Sequence, residues 1–172
     1  FRKVKRIEDV LTTFEEISKK TEVKLILVGD GPERPRLEKI SRKSDFKENI
    51  FFLGSLKSTK EVLNISDLFI LPSSKESFGL SALEAMACSV PVIASNSGGI
   101  PDVVIHEESG LLNEVGDTNQ MTINALKIIS NHDTLEKYKS NALNQAKSFD
   151  IEIILPRYEN LYRECVNYYL SN

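Results

Sequence analysis

Hydrophobic and polar positions follow two different periods along this chain. In residues 7–20 the apolar side chains recur at helical spacing, which predicts an amphipathic helix. They are Val10, Leu11, Phe14 and Ile17. The next apolar run, 23–28, is continuous and rich in leucine and β-branched residues, and a Gly-Asp-Gly-Pro turn closes it. Such a run is typical of a buried strand that ends in a tight turn.

The same alternation continues to the end of the chain. Further strands are expected at 50–54, 67–71, 91–94 and 110–113. Further helices are expected at 33–43, 58–66, 79–88, 101–106, 118–131, 134–148 and 151–170. Short apolar strands separated by helices predict an α/β fold, a Rossmann-like doubly wound parallel sheet, in one domain over 1–172. Ligands of such sheets bind beyond the carboxyl ends of the strands, so the loops after Val28, Leu53, Leu71 and Ala94 are the candidates for a binding site.

The final predicted helix, 151–170, has a wider apolar face than a surface helix needs. A core helix is the simpler interpretation. The alternative is a helix that packs against a second domain, and the domain assignment keeps this alternative. Without such a partner this face would be adhesive, which leaves a homo-oligomer open.

Composition restricts the class of protein. The chain has 172 residues, with 41% hydrophobic and 27% charged, as in a soluble globular protein. The net charge of -3 implies no general affinity for nucleic acid or acidic membranes, so an anionic ligand needs a local basic cluster.

No apolar run approaches the roughly 20 residues of a membrane span. The sequence opens with Phe1 rather than Met, and we expect either that it was cut from a longer protein or that its start was removed.

Cysteine and histidine usage narrows the chemistry. Cys88 and Cys165 suit a reducing cytoplasm better than a disulfide framework, which predicts a cytoplasmic protein. His106 and His132 have no cysteine or carboxylate at ligand spacing. We therefore expect neither a metal nor a cofactor.

Glu84 is the only charged residue between Phe78 and Ser95. A helical wheel places it between Leu80 and Cys88, inside the apolar arc that should face the sheet. A carboxylate there costs several kcal/mol unless it is hydrogen-bonded. Two interpretations are equally open: an ion pair with a neighbouring helix, or a carboxylate reserved for the two hydroxyls of a ribose.

Glu76 comes just before the same helix, and Gly79 lies at its first turn. Because glycine has no side chain, a phosphate could approach the N–H groups of Gly79 and Leu80. The simpler interpretation is an ordinary helix start, with Glu76 favouring the positive end of the helix dipole. Eight residues separate Glu76 from Glu84, so the two carboxylates could line one cleft at different depths.

Several segments together resemble one known family. Residues 76–84 resemble the EX7E motif of the retaining GT-B glycosyltransferases of group 1, and the surrounding ESFGLSALEAMACSVPVIASNSGGIPDVV resembles their donor-site signature. LVGDGP at 27–32, FFLGSL at 51–56 and SGLLNEVGDT at 109–118 resemble further segments of that family, in the same order. The resemblance implies the C-terminal, donor-binding half of a GT-B fold, facing an N-terminal acceptor domain.

The resemblance also implies a site for a UDP-sugar. The base would lie near Gly54, Ser55 and Leu56, and Glu84 would hold the ribose. Arg2 and Lys5, with the N–H groups of Gly79 and Leu80, would hold the diphosphate. Glu76 would lie near the transferred sugar and offset oxocarbenium charge. Phe78 and Gly29 complete the implied donor site.

The basic segment at residues 2–6 has a shorter spacing between its charged residues than many members of the family. Arg2 and Lys5 lie closer together than the corresponding pair in many members, so Lys3 or Arg6 could share their role. A second departure is Ser89, where many members have a glycine that suits a left-handed backbone. A narrower resemblance within the family suggests transfer of N-acetylglucosamine to L-malate or a saccharide.

Two other functions remain open from the sequence. The chain could be a noncatalytic nucleotide-binding module, since the isolated domain is not expected to catalyse transfer. A nicotinamide-dependent dehydrogenase is disfavoured, because no G-x-G-x-x-G follows the strand at 23–28.

Overall fold

Five short parallel strands form the sheet in residues 1–171, the part of the chain that the computed structural model describes. They are β1 (Leu25–Val28), β2 (Ile50–Gly54), β3 (Phe69–Leu71), β4 (Val92–Ser95) and β5 (Gly110–Asn113). The hydrogen-bonded ladder has two parts, β1–β2 and β3–β4–β5. The predicted α/β class with parallel strands is confirmed. The strands do not form one continuous ladder, because no hydrogen bond joins β1 to β3 within these residues.

Every predicted helix is present, with ends that differ by at most three residues. The helices are α1 (Ile7–Ser18), α2 (Arg34–Ser41), α3 (Lys60–Asn64), α4 (Leu80–Ala87), α5 (Ile100–Val103), α6 (Thr118–Ile129), α7 (His132–Lys147) and α8 (Ile151–Ser171). Short 3-10 helices at Lys3–Lys5 and Lys47–Asn49 were not predicted. Three residues are too few for a periodic signal, so these turns are invisible to pattern analysis.

Helices cover both faces of the sheet, and β4 shows which helix covers which face. Val92 and Ala94 pack in one core cluster with residues of α4, α5 and α7. Ile93 packs in the opposite cluster with residues of α1 and α6. Successive side chains of a strand point to opposite faces, so β4 is buried on both sides, as in a doubly wound fold.

The interpretation of the last helix as a core helix is wrong. Side chains on every side of α8 are exposed, including Tyr158 (56%), Leu161 (52%) and Val166 (57%). Its apolar face has the width of a core helix, yet nearly all of its described side chains are exposed. Periodicity predicts how wide an apolar face is, and it does not say which surface covers that face.

The end of α4 confirms the expected left-handed residue. Ser89 has φ 61°. Its N–H donates to the carbonyl of Met86, and the N–H of Val90 donates to the carbonyl of Ala85, each at 2.9 Å. This is the hydrogen-bond pattern of a Schellman motif, in which glycine is usually the left-handed residue.

Candidate functional site

The loops that follow β3 and β4 pack against each other at the carboxyl edge of the sheet. The N–H of Gly99 donates to the carbonyl of Glu76 at 3.1 Å. Gly98 has φ 57°, and a Cβ there would overlap the same carbonyl. The hydroxyl of Ser97 donates to the carbonyl of Ser74 at 2.9 Å. The glycine pair therefore lets the backbone around Glu76 approach the next loop closely.

The basic N-terminal segment crosses this edge and reaches Glu76. Its 3-10 helix, Lys3–Lys5, is fixed to the loop after β3, because the carbonyl of Val4 accepts the N–H of Ser74 at 2.9 Å. Lys5 Nζ then lies 2.5 Å from Glu76 Oε2, with side-chain exposures of 40% and 16%. Two residues that the sequence suggested for one site, 71 positions apart, are thus in direct contact.

The other cations of this segment have different surroundings. Arg2 is exposed and lines a groove together with Glu33 and Arg36. Arg6 forms an ion pair with Asp9 at 2.6 Å. Among the basic residues from 2 to 6, only Lys5 bonds to Glu76 in the part of the chain that the structure describes. The structure therefore supports Lys5 more directly than Arg2, and the charge of Arg6 is already balanced.

The start of α4 leaves two backbone N–H groups without a protein acceptor within residues 1–171, although Gly79 itself is buried. Gly79 precedes the helix with φ 97°, a left-handed conformation, and no side chain caps the helix. Within residues 1–171 no acceptor takes the N–H groups of Gly79 and Leu80, whereas the carbonyl of Gly79 accepts the N–H groups of Ala82 and Leu83. Free N–H groups at a helix start attract anions.

Glu84 lies on α4 but not where the helical wheel placed it. The buried residues of this helix are Ala82, Ala85 and Met86, each 0% exposed, whereas Leu80 is 65% exposed and Glu84 is exposed as well. The prediction that Glu84 faces the sheet is wrong. Close packing of α4 on the neighbouring helix α7 selects the small alanine side of the wheel rather than the side of the larger Leu80.

The carboxylate of Glu84 does not form the ion pair with a neighbouring helix that the sequence left open. It forms no ion pair or hydrogen bond with any residue in the described part of the chain. The helix therefore presents an unused carboxylate on its exposed side, one turn beyond the open N–H groups. The expectation of an ion pair with a neighbouring helix is wrong.

The loop after β2 lies beside the turn after β1. The N–H of Gly29 donates to the carbonyl of Gly54 at 2.8 Å. Gly54 has φ 73°, and a Cβ there would lie 3.2 Å from Arg34, whose guanidinium pairs with Asp30 at 3.1 Å. Ser55 and Leu56, which the sequence suggested for the base, are exposed. Arg34 was not predicted, because nothing in its helical context distinguishes it from other surface arginines.

Two suggested residues have protein partners of their own. The ring of Phe1 lies against Gly29, where a Cβ would meet it at 3.3 Å. Gly29 therefore offers neither open space nor a free N–H. Phe78 packs edge-on against Phe149, with ring centroids 5.8 Å apart, and remains 37% exposed. Both residues shape the loops of the site, and their contact with a ligand stays a prediction.

Two further findings concern metal binding and membrane-spanning helices. In residues 1–171 no group of three or more histidine, cysteine or acidic side chains is placed to hold a metal ion. Over the same range, no helix has both the length and the hydrophobicity required to cross a bilayer.

Comparison with known proteins identifies the family. Residues 1–145 match the family of group 1 glycosyl transferases. The chain therefore belongs to the group 1 glycosyltransferases. This membership leaves no support for the dehydrogenase alternative.

Two relatives show how similar the chain is to individual proteins and how much of their length it covers. The chain is 40% identical over 163 residues to the N-acetyl-alpha-D-glucosaminyl L-malate synthase of Bacillus anthracis, covering 94% of this chain and 43% of that protein. It is 32% identical over 144 residues to the 2-deoxystreptamine N-acetyl-D-glucosaminyltransferase of Niallia circulans, covering 82% and 37%. The chain thus spans less than half the length of either relative.

A solved structure shows the same fold. A mutant of S. aureus TarM, crystallised in complex with fondaparinux, alpha-GlcNAc-glycerol and UDP, superposes with a TM-score of 0.84 at 26% identity. The match covers 92% of this chain and 33% of that one. The predicted likeness to GT-B glycosyltransferases is confirmed.

Proposed function

We propose that this chain binds the nucleotide-sugar donor of a retaining glycosyltransferase, and that the donor is UDP-N-acetylglucosamine. The names of both relatives specify transfer of N-acetylglucosamine, and the TarM complex contains UDP. L-malate is the acceptor that we favour, since the relative with 40% identity is a malate synthase. The transfer reaction belongs to a longer protein with an acceptor-binding domain.

The observation that carries this proposal is the position of Lys5. Its ammonium is 2.5 Å from Glu76, in the loop that leads directly to the free N–H groups at the start of α4. A cation and helix N–H groups without an acceptor, near one another, can bind a diphosphate together. As the bond from sugar to phosphate breaks, negative charge grows on the phosphate, and prepositioned donors stabilise it.

Glu76 supplies the complementary charge. The donor diphosphate competes for Lys5, which releases the carboxylate of Glu76 toward the sugar. There the carboxylate accepts a hydrogen bond from a sugar hydroxyl and offsets the positive charge of an oxocarbenium-like transition state. The acceptor hydroxyl attacks from the face that the phosphate leaves and gives its proton to the departing phosphate oxygen, so the anomeric configuration is retained.

Glu84 recognises the ribose. Two carboxylate oxygens can accept hydrogen bonds from the 2′ and 3′ hydroxyls at once. An exposed carboxylate without a partner among residues 1–171 loses no bond to them when the nucleotide arrives. Backbone groups at Gly54, Ser55 and Leu56 read the base, with the Arg34–Asp30 pair next to Gly54. Arg2 contributes to the diphosphate site only if its exposed side chain moves toward Lys5.

Calorimetric titration of the 172-residue chain with UDP tests the proposal, with ADP and GDP as competing nucleotides. We expect measurable binding of UDP and at least tenfold weaker binding of the purine nucleotides. A parallel assay of UDP release from UDP-N-acetylglucosamine distinguishes the donor-binding half of a glycosyltransferase from a noncatalytic nucleotide-binding module. Binding without release, also after an acceptor-binding domain is supplied, would support the noncatalytic nucleotide-binding module. Absence of UDP binding by a folded chain would remove both.

A further inference from the structure

The ring of Phe149 lies beside the loop that carries Glu76. Phe149 comes two residues after the end of α7, and its ring meets the ring of Phe78 edge-on, with an angle of 75° between the two planes. Aromatic pairs favour such an edge-to-face arrangement. Phe78 is the only large apolar side chain among residues 73–79. The contact with Phe149 is therefore the one way in which apolar packing can fix this loop.

The backbone of Phe78 is confined on another side by the loop after β4. A Cβ at Gly99 would lie 3.0 Å from the Cα of Phe78, closer than ordinary van der Waals contact. The N–H of Gly99 donates to the carbonyl of Glu76 at 3.1 Å. Glycine allows this close approach because it has no side chain. The segment 76–78 thus lies between the loop after β4 and the ring of Phe149.

The contact between α4 and α7 supports Phe149. The N–H of Phe149 donates to the carbonyl of Ala146, in the last turn of α7, at 3.0 Å. Buried alanines of both helices share one core cluster, and Phe149 packs against that cluster; they are Ala82, Ala85, Ala142 and Ala146. Small side chains at a contact let two helices lie close together. The position of Phe149 is therefore fixed relative to α4.

The start of α4 restrains the loop only weakly. No side chain of residues 1–171 caps this helix, and Gly79, with φ 97°, joins Phe78 to it. Because glycine adopts many backbone conformations, the chain alone does not fix the direction of the segment 76–78. Glu76 precedes Phe78, and the N–H groups at the start of α4 follow it. A displacement of Phe78 therefore moves the carboxylate of Glu76 relative to those N–H groups.

We propose that Phe149 is a positioning residue of the donor site. Its ring holds Phe78 so that the carboxylate of Glu76 and the N–H groups at the start of α4 face the same ligand. Phe149 acts through Phe78 and not by contact with the ligand. This inference rests on the proposed function, since it requires that the loop binds the nucleotide. When only a fraction of the molecules hold a loop in its binding conformation, the apparent dissociation constant rises in inverse proportion to that fraction.

Three variants of the 172-residue chain test the proposal by calorimetric titration with UDP. Phe149→Leu removes the ring contact, whereas Phe149→Tyr retains it. Phe69→Leu is the matched control, because Phe69 packs against the same core cluster but lies at the start of β3, at the opposite edge of the sheet. We expect Phe149→Leu to weaken binding of UDP about tenfold, as if about a tenth of the molecules held the loop correctly. Phe149→Tyr and Phe69→Leu should retain the affinity of the unchanged chain.

Amide hydrogen exchange of the unliganded chains tests the position of the loop without a nucleotide. Gly99 is buried, and its N–H is bonded to the carbonyl of Glu76. We expect Phe149→Leu, but not Phe69→Leu, to accelerate exchange at Gly99 about tenfold, because the two loops separate more often. Exchange at Ile93, in the core of β4, shows in the same NMR spectra whether overall stability has changed.

The outcomes separate this inference from the proposed function. An unchanged affinity for UDP, or an unchanged exchange rate at Gly99, in Phe149→Leu would overturn the inference. Binding of UDP by the unchanged chain would still leave the proposed function intact. Equal losses of affinity in Phe149→Leu and Phe69→Leu would assign the effect to general core packing. Equal losses in Phe149→Leu and Phe149→Tyr would exclude the ring contact as its cause. Failure of the unchanged chain to bind UDP would remove the proposed function and the positioning role together.

Discussion

Lys5 and Glu76 form an ion pair of 2.5 Å although 71 positions separate them in the sequence. The pair exists because two loops at the carboxyl edge of the sheet fix the two backbones. Val4 bonds to Ser74 on one side, and Gly99 bonds to Glu76 on the other. An ion pair at the surface, partly exposed as this one is, contributes about 0–1 kcal/mol, so its contribution to stability is small. Its significance lies in where it places a cation.

Replacing Lys5 tests that placement. We expect Lys5→Met to weaken binding of UDP about tenfold or more, because the diphosphate loses a charged hydrogen bond of about 1.5–3 kcal/mol. Lys3→Met is the matched control, since Lys3 is exposed in the same 3-10 helix and makes no bond to Glu76 within the described residues. Calorimetry on the three chains decides the point. Equal losses in both variants would point to general attraction by the basic segment.

The ribose assignment is tested with a change in the residue and a change in the ligand. We expect Glu84→Gln to weaken binding of UDP by about 1–3 kcal/mol. For 2′-deoxy-UDP the same substitution should cost clearly less, because one hydrogen bond is already missing. Glu108→Gln, an exposed carboxylate away from α4, removes the same charge as a control. If Glu84→Gln weakened both ligands equally, the effect would be general electrostatics and the ribose contact would be ruled out.

The left-handed residue after α4 allows a stabilising substitution. Ser89 has φ 61°, which costs a side-chain-bearing residue about 1–2 kcal/mol relative to glycine. Glycine also increases the entropy of the unfolded chain, by about 0.5–1 kcal/mol. We therefore expect Ser89→Gly to raise the free energy of unfolding by about 0.5–1 kcal/mol in urea titrations. Ser89→Ala keeps the strain, and a stabilisation of the same size by alanine would contradict this explanation.

The glycines around Glu76 should respond unequally to alanine. At Gly98 a Cβ would overlap the carbonyl of Glu76, whereas at Gly79 the nearest atom would be 3.7 Å away. Both have positive φ, so both lose about 1–2 kcal/mol of stability from backbone strain. We expect Gly98→Ala to lose more, because the loop that carries Glu76 must move. Urea titration of both variants measures the difference, and equal losses would show that the two loops separate without cost.

The exposed face of α8 predicts association between copies of this chain. Leu161 is 52% exposed and Tyr162 is 67% exposed. We expect the apparent mass in light scattering to rise with concentration, and Leu161→Glu to reduce that rise. Asn160→Glu introduces the same charge next to it on the same helix. A monodisperse monomer at high concentration, or equal effects of the two substitutions, would count against an adhesive apolar face.

Much of the fold was predictable because local periodicity records burial. The continuous apolar runs gave all five strands, and the 3.6-residue pattern gave all eight helices within residues 1–171. Ser89 was recognised as left-handed because many members of the family that the sequence resembles have a glycine there, and glycine is the usual left-handed residue after a helix. The motif around Glu76 and Gly79 also identified the loops of the candidate site.

The orientation of side chains was less predictable. The wheel of α4 gives two arcs of similar hydrophobicity, and only the packing of Ala82 and Ala85 shows which arc is buried. Glu84 was therefore expected in the core but is exposed. For α8 the apolar face was recognised, but no local pattern reveals whether another part of the chain covers it.

By itself, the sequence determined the order and type of the elements, because these depend on neighbours within a few residues. It also indicated the family and the loops of the candidate site, because short motifs recur in the family's order along the chain. Only the tertiary structure decided that Lys5 rather than Arg2 bonds to Glu76, that Glu84 is exposed and unpaired within residues 1–171, and that no hydrogen bond joins β1 to β3 there. Those facts depend on distances between elements far apart in the chain. Such distances follow from packing, which no short window of sequence contains.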